Sequence, residues 1–162
     1  MTPAADAVAA LRAAGATVAT AESLTGGLVC ATLVSFPGAS DVVRGGVVAY
    51  AAELKSSLLD VDPALIAARG TVDAEVAAAM ATGVRGRLGA TWGLATTGVA
   101  GPDPSEGKPA GTVHIAVAGP DGVTTRLLNL PGDRDDVRTG TVAALLSLLV
   151  ARLGEQSRNA RG

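Results

Sequence analysis

The chain has 162 residues, 48% of them hydrophobic, and a formal charge of −2, which is the size and apolar content of one folded domain. One histidine and one cysteine are too few for histidine-rich metal sites, zinc clusters or disulfide frameworks, and a single cysteine is typical of a reducing compartment. Three aromatic residues and the absence of a basic block argue against nucleic acid as a partner.

The predicted elements alternate between helices and strands. In chain order we predict a helix at 2–14, a strand at 16–21, a helix at 28–36, a strand at 47–50, helices at 51–59, from 62 and at 73–88, a strand at 92–97, a hairpin of 113–117 with 123–130, and a helix from 133. This order predicts an α/β fold, a three-layer α/β/α sandwich with a mixed β-sheet in a single domain over 1–155, followed by a polar frayed tail at 156–162.

No charged segment followed by an apolar stretch opens the chain, and no uninterrupted apolar run approaches the roughly 18 residues of a membrane span. We therefore expect a cytoplasmic protein without a membrane partner.

Active sites of open α/β sheets lie beyond the carboxyl ends of strands, where the loops around Ser23, Tyr50 and Thr97 are predicted to meet. Ser23 lies at a strand-to-helix junction, where helix amides can stabilise an oxyanion, so a nucleophilic hydroxyl is one hypothesis. His114 lies in an alternating strand and is interpreted as structural, which leaves Lys55 as the base. A lysine base requires burial away from carboxylates, which lowers its pKa from about 10.4 toward neutrality.

Each of these residues has a plainer interpretation. Ser23 could cap a helix, Lys55 could be a solvated helix residue, and Tyr50 could be a core aromatic. The glycine turns at 26–27 and 98–101 could be tight turns or could bind phosphate through backbone amides, and neither matches the P-loop or the dinucleotide fingerprint. The residues alone indicate an α/β enzyme or a small-ligand binder.

Four motifs in order, over roughly 15–140, resemble the C-terminal domain of the competence-damage-inducible CinA family. They are Ala21-Glu22-Ser23-Leu24-Thr25-Gly26-Gly27, Gly45-Gly46-Val47-Val48-Ala49-Tyr50 with Lys55 five positions on, Thr97-Gly98-Val99-Ala100-Gly101-Pro102, and Lys108-Pro109-Ala110-Gly111-Thr112-Val113. Gly132-Asp133-Arg134 also resembles the family's ending.

The resemblance implies a site and an activity. The family's nucleophile falls on Ser23 and its general base on Lys55. A Tyr of the same catalytic site matches Tyr50, which would orient Lys55 or the substrate. Leu24 departs from the Cys of many relatives without affecting a catalytic role. Members include stand-alone nicotinamide mononucleotide deamidases, which release ammonia from the carboxamide, and larger proteins with an additional N-terminal domain. We expect the stand-alone type, acting through an acyl-enzyme with no cofactor and no metal.

The expected substrate is a small-molecule nucleotide. Amides of the turn Thr25, Gly26 and Gly27 would supply the oxyanion donors. The phosphate and ribose would lie against the loop formed by Thr97, Gly98, Ala100 and Gly101, with Arg44 or Lys108 as charge partners. This last placement rests on chemistry rather than on the resemblance. A homodimer is also expected, because relatives are commonly dimers.

Two alternatives from other classes stay open. A catalytically silent domain that binds a nucleotide or a partner could keep the same fold, because membership of a family does not guarantee its activity. An amidohydrolase acting on another carboxamide is the second, because the sequence does not reveal a pocket for the substrate ring.

Overall fold

The computed structural model describes residues 2–162. In chain order its elements are α1 (Pro3–Ala14), β1 (Val18–Glu22), α2 (Leu28–Val34), β2 (Val43–Val48), α3 (Ala52–Leu59), α4 (Pro63–Arg69), α5 (Ala74–Arg87), β3 (Trp92–Gly98), β4 (Thr112–Gly119), β5 (Gly122–Asn129) and α6 (Arg134–Asn159). The predicted alternation of helices and strands is confirmed.

One five-stranded sheet has the order β2-β1-β3-β4-β5. β1 pairs in parallel with both β2 and β3, whereas β3, β4 and β5 pair antiparallel. Helices α1, α2 and α6 pack on one face, and α3, α4 and α5 pack on the other. The fold is therefore the predicted α/β/α sandwich with a mixed sheet, and the carboxyl ends of β1, β2 and β3 lie at one edge.

The two faces of the sheet carry side chains of very different size. Toward α1, α2 and α6 the strands present Val18, Trp92, Leu94, Val113, Ile115 and Val117. Toward α5 they present mainly small residues, which include Ala19, Ala21, Ala95, Ala116 and Ala118. Strands with both faces buried carry apolar residues on both sides. Small side chains also let a helix backbone lie close to the sheet, so the alanines of this face are a packing requirement of the α5 layer.

Strand β2 begins earlier than the predicted 47–50, because Gly45 and Gly46 belong to it. The register with β1 shifts between Val18 and Ala19, so Arg44 is an extra residue in the edge strand. A Cβ at Gly46 would overlap the hydroxyl of Thr20 on β1. Glycine here reflects close packing against the neighbouring strand rather than a turn.

Helix α6 continues to Asn159, beyond the boundary predicted at 155. It is the one helix of the described residues that is long and apolar enough, by length and composition alone, to cross a membrane. Its buried positions, which include Val137, Leu145 and Leu149, belong to the main hydrophobic core. This is the placement of a core helix.

Helix α5 also positions α3. Gly83 on α5 faces the carbonyl of Leu59, the last residue of α3, and a Cβ at position 83 would overlap that carbonyl oxygen. The Leu59 side chain is itself fully buried in the same layer. Close contact at Gly83 therefore fixes the end of the helix that carries Lys55.

We predict that Gly83→Ala lowers the free energy of unfolding by about 1–3 kcal/mol, because the added methyl group forces α3 and α5 apart. Gly86→Ala on the same helix is the matched control, since a Cβ there would meet nothing within 4 Å. It is expected to raise stability by up to about 1 kcal/mol through helix propensity. Urea unfolding measures both, and equal effects of the two variants would contradict the close-contact explanation.

Candidate active site

Ser23 follows directly after β1 and is held by the neighbouring strand β3. Its amide donates to the Thr96 carbonyl at 3.1 Å and lies 3.3 Å from the Thr96 hydroxyl. The next turn is fixed from the other side by Arg138 of α6, whose guanidinium donates to the carbonyls of Leu24 and Thr25 at 3.0 and 3.1 Å. The helix-cap interpretation of Ser23 is wrong, because Gly27 is the N-cap of α2.

Gly27 has no side chain that could accept hydrogen bonds from the first amides of α2. Glu22, immediately before Ser23, accepts them instead. Its carboxylate is 1% exposed and accepts from the amides of Val29 and Cys30 at 2.8 and 3.1 Å, in the first turn of α2. A carboxylate at a helix N-terminus satisfies free amides and complements the helix dipole. The residue next to Ser23 therefore locks β1 to α2.

Lys55 is 1% exposed, which makes the solvated interpretation wrong. Its Nζ lies 3.1 Å from Ser23 Oγ, 2.7 Å from the Ala49 carbonyl oxygen and 3.4 Å from that of Tyr50. The Ala49 amide in turn donates to the Glu22 carbonyl at 2.9 Å. The ends of β1 and β2 are thus joined at the point where both present groups to Lys55.

The surroundings of Lys55 favour its neutral form. Burial lowers the pKa of Lys55, and the negative charge of Glu106 raises it by a smaller amount. A neutral amine has two N–H donors for the two carbonyls and one lone pair left for the Ser23 hydroxyl proton. No carboxylate forms an ion pair with Lys55 in the described part of the chain, although two carboxylates line the cavity nearby.

Ser23 opens into a cavity of about 400 Å³ at the carboxyl edge of the sheet. Its walls come from the segment 98–106, from Thr71 and Val72 before α5, and from Tyr50 and Arg134. Tyr50 is 60% exposed, so it is not a core aromatic. Arg134, the first residue of α6, donates to the Gly101 carbonyl at 2.6 Å and lies 3.4 Å from the Tyr50 hydroxyl.

The predicted binding residues divide into two groups. Gly98, Ala100 and Gly101 line the cavity, as predicted for this loop. Thr97 does not line it but supports its wall, because its buried hydroxyl donates to the Thr71 carbonyl at 2.7 Å. Thr25 is fully buried, with its hydroxyl 2.8 Å from that of Thr96.

The turn expected to supply oxyanion donors is only partly available. The Gly26 amide already donates to the Ser23 carbonyl at 3.0 Å. The amides of Thr25 and Gly27 have no protein acceptor among the described residues. Of the three predicted donors, these two remain unpaired, although Thr25, Gly26 and Gly27 do not themselves line the cavity.

Arg44 and Lys108 do not line the cavity. The Arg44 guanidinium donates to the Leu88 carbonyl at 2.8 Å, and its position in the first half of β2 is remote from the strand's carboxyl end. Lys108 belongs to the small turn after the cavity wall, where it pairs with Ser105. His114 lies in β4 opposite Thr97, and its Nδ1 has no partner among the described residues. Burial lowers the pKa of His114, the charge of Asp73 raises it by a smaller amount, and the charge of Lys108 lowers it further.

Sequence reasoning missed Glu22, Arg134 and Glu106 as members of the site. Glu22 and Arg134 belong to motifs of the resemblance, and Arg134 follows the helix cap Asp133, which would place it at the sheet edge. No feature of the sequence pointed to Glu106 as a site residue, because a polar residue in a Gly- and Pro-rich loop is ordinarily solvated.

We predict that the Lys55 side chain titrates below its ordinary value of 10.5. The chain has only two lysines, so the carbon-13 spectrum of lysine-labelled protein contains two ε-methylene signals, and Lys108→Arg identifies the one from Lys55. Glu106→Gln is expected to lower the pKa of Lys55 further, because the charge that raises it is removed. A Lys55 signal that titrates at or above 10.5 would contradict neutral-form stabilisation.

Comparison with known proteins identifies the family. The model of the CinA C-terminal domain matches residues 2–153. A CinA-like protein of Frankia casuarinae is 60% identical over 134 residues, which cover 83% of this chain and 31% of that protein. The chain thus spans about a third of the length of that curated relative.

Two solved structures have the same fold. A CinA superfamily protein of Klebsiella pneumoniae has a TM-score of 0.92 and 30% identity, with 94% of this chain and 96% of that one covered. The competence/damage inducible protein CihA of Agrobacterium tumefaciens has a TM-score of 0.89 and 34% identity, with 94% and 93% covered. Because the family model matches nearly the whole chain, this chain belongs to the CinA C-terminal domain family.

Proposed function

We propose that this domain is an amidohydrolase that converts nicotinamide mononucleotide to nicotinic acid mononucleotide and ammonia, with Ser23 as nucleophile and Lys55 as general base. The observation that carries the proposal is the buried Lys55 Nζ, 3.1 Å from Ser23 Oγ, with backbone carbonyls as its other partners. A base within about 3.2 Å of a hydroxyl, with its own orientation fixed by further hydrogen bonds, is the arrangement that nucleophilic catalysis requires.

Acylation begins when neutral Lys55 takes the Ser23 hydroxyl proton as Oγ forms a bond to the carboxamide carbon. The C=O π pair moves to the oxygen and gives a tetrahedral oxyanion. Collapse of this species breaks the C–N bond, and the proton held by Lys55 transfers to the leaving nitrogen, which departs as ammonia. The products of this half are an acyl-Ser23 ester and neutral Lys55.

The oxyanion needs hydrogen-bond donors fixed in advance. The amides of Thr25 and Gly27 lie in the turn after Ser23 without protein acceptors among the described residues, so they are the available candidates. Arg138 holds this turn through the carbonyls of Leu24 and Thr25. Fixed amide donors of this type contribute about 3–4 kcal/mol to transition-state stabilisation in serine hydrolases.

Deacylation repeats the proton transfers with water. Lys55 accepts a proton from water as the water oxygen attacks the ester carbon, and the same proton returns to Ser23 Oγ as the C–O bond breaks. The carboxylic acid leaves and loses its proton to solvent. Because both halves start from neutral Lys55, its burial is part of the chemistry as well as of the fold.

The cavity fits a small ligand with an anionic end. A volume of about 400 Å³ lies within the range of small-molecule sites. Arg134 is the one basic side chain that lines the cavity in the described part of the chain, so it is our candidate partner for the phosphate. Tyr50, beside it, would contact the ribose rather than orient Lys55, which only the Tyr50 carbonyl approaches.

We propose that the protein acts in the cytoplasm. A reducing cytoplasm is consistent with the single, free Cys30 and with a soluble nucleotide as substrate.

We also propose that the protein is a homodimer, and sedimentation at micromolar concentration is the direct test.

We predict that Ser23→Ala and Lys55→Arg each lower kcat/KM for ammonia release from nicotinamide mononucleotide by at least about 10³-fold. Arginine is a basic side chain of similar length, but its guanidinium stays protonated and cannot accept the Ser23 proton. Ser57→Ala, an exposed serine on the same helix as Lys55, is the control and should keep wild-type turnover. Full turnover by both site variants would overturn the dyad.

The same assay separates the alternatives. A wild-type domain that binds the nucleotide without releasing ammonia would be the silent binder. Release of ammonia from other carboxamides but not from the nucleotide would identify a different amidohydrolase.

We predict that Arg134→Gln raises KM for nicotinamide mononucleotide about tenfold, because a charge-assisted contact to the phosphate is lost. Nicotinamide riboside has no phosphate and controls for damage to the cavity wall near Gly101. Steady-state kinetics with both substrates measures the difference. An equal rise in KM for the riboside would assign Arg134 a purely structural role.

A further inference from the structure

Glu106 lies in the cavity wall and is fixed there more firmly than a loop carboxylate usually is. Its Oε1 accepts from the amides of Thr71 and Val72 at 2.8 and 3.4 Å, and its Oε2 accepts from the Thr71 hydroxyl. These contacts join the β3–β4 connection to the segment before α5, and both line the cavity. Glu106 also has a φ of +52°, a conformation that a non-glycine residue adopts only when its surroundings hold it.

The carboxylate of Glu106 stays ionised at this position. Burial opposes ionisation, but the hydrogen bonds from Thr71 and Val72, together with the charge of Lys108, lower the pKa of Glu106 overall. Glu106 and Ser23 line the same cavity, and the negative charge of Glu106 also acts on Lys55. A fixed anion therefore lines the cavity that must hold the group attached to the reacting carboxamide.

We infer that Glu106 is a specificity-determining residue that recognises the positive charge of the pyridinium ring and so selects oxidised, cationic nicotinamide nucleotides. The inference rests on the proposed function and names a property of its substrate class. With the carboxamide carbon at Ser23, the ring bonded to it must lie inside the cavity that Glu106 lines. The ring of nicotinamide mononucleotide carries one positive charge, whereas the ring of its 1,4-dihydro form is neutral.

The cavity offers the two charges of this ligand different partners. Arg134 faces the anionic end at the start of α6, and Glu106 faces the cationic ring. Asp103 is the other carboxylate in the wall, but no hydrogen bond or ion pair fixes it among the described residues. Charges of both signs held in place discriminate between ligands of equal shape and different charge, which an apolar pocket does not do.

Glu106→Gln is a conservative test of the charge. The Gln carbonyl oxygen can accept from the amides of Thr71 and Val72 as Oε1 does, and its NH₂ can donate to the Thr71 hydroxyl oxygen. The variant thus removes the negative charge and keeps a partner for each of the three groups. Thermal unfolding of the variant and of the wild type checks that the wall stays in place.

The experiment compares ammonia release from nicotinamide mononucleotide and from its 1,4-dihydro form, which share phosphate, ribose and carboxamide. Glu106→Gln is expected to lower kcat/KM for the cationic substrate about fivefold relative to the neutral one. The change that the same substitution causes in the Lys55 pKa acts on both substrates and cancels in this comparison. The different intrinsic reactivities of the two carboxamides cancel in the ratio between variant and wild type. An equal loss for both substrates, or no loss for either, would overturn the inference.

Asp103→Asn is the matched control, because it removes a second carboxylate from the same wall. It should leave the ratio of the two substrates unchanged, and a change as large as that of Glu106→Gln would overturn the assignment to Glu106. Should the wild type release no ammonia, the proposed function fails, and calorimetric affinities of the same two ligands for wild type and Glu106→Gln still decide the inference. A roughly fivefold loss of affinity confined to the cationic ligand supports it.

Discussion

Lys55, 1% exposed, is costly to bury as an ammonium, so burial lowers its pKa, and the N–H groups of the neutral amine still need acceptors. The fold meets this constraint with backbone groups. The Ala49 carbonyl accepts from Lys55, and the Ala49 amide donates to the Glu22 carbonyl, next to Ser23. Parallel pairing of β1 and β2 brings these groups together, so the sheet that forms the core also fixes the position of Lys55 beside Ser23.

The sandwich and the Ser23–Lys55 pair could be predicted because both depend on local patterns. Strands and helices alternate in the sequence, and one histidine and two lysines leave few candidates for a base. Other features depend on contacts between distant segments. Arg44 proved remote from the cavity because β2 already begins at Val43, which places Arg44 far from the carboxyl end of the strand. Glu106 became a wall residue only through contacts with Thr71 and Val72, 35 and 34 positions away.

Part of the chain's alanine content has a similar origin. One face of the sheet is filled by large side chains, while the face under α5 has alanine at the buried positions of β1, β3 and β4. This asymmetry lets α5 lie close to the sheet and lets Gly83 meet the end of α3. The position of Lys55 therefore depends on alanines of the sheet and on Gly83 of α5. Composition alone could not distinguish this packing requirement from a mutational bias toward alanine.

Glu22 also limits where a phosphate could bind under the proposed function. Helix N-termini are common phosphate sites, but the first amides of α2 are already occupied by the Glu22 carboxylate, and those of α6 by Asp133 in a capping box with Asp136. Neither of these two helices therefore offers its dipole to a phosphate. With Arg134 as the proposed phosphate partner, the opposite end of the nucleotide would point toward Ser23. Two occupied helix ends would thus favour one orientation of the substrate before any contact with the ring is made.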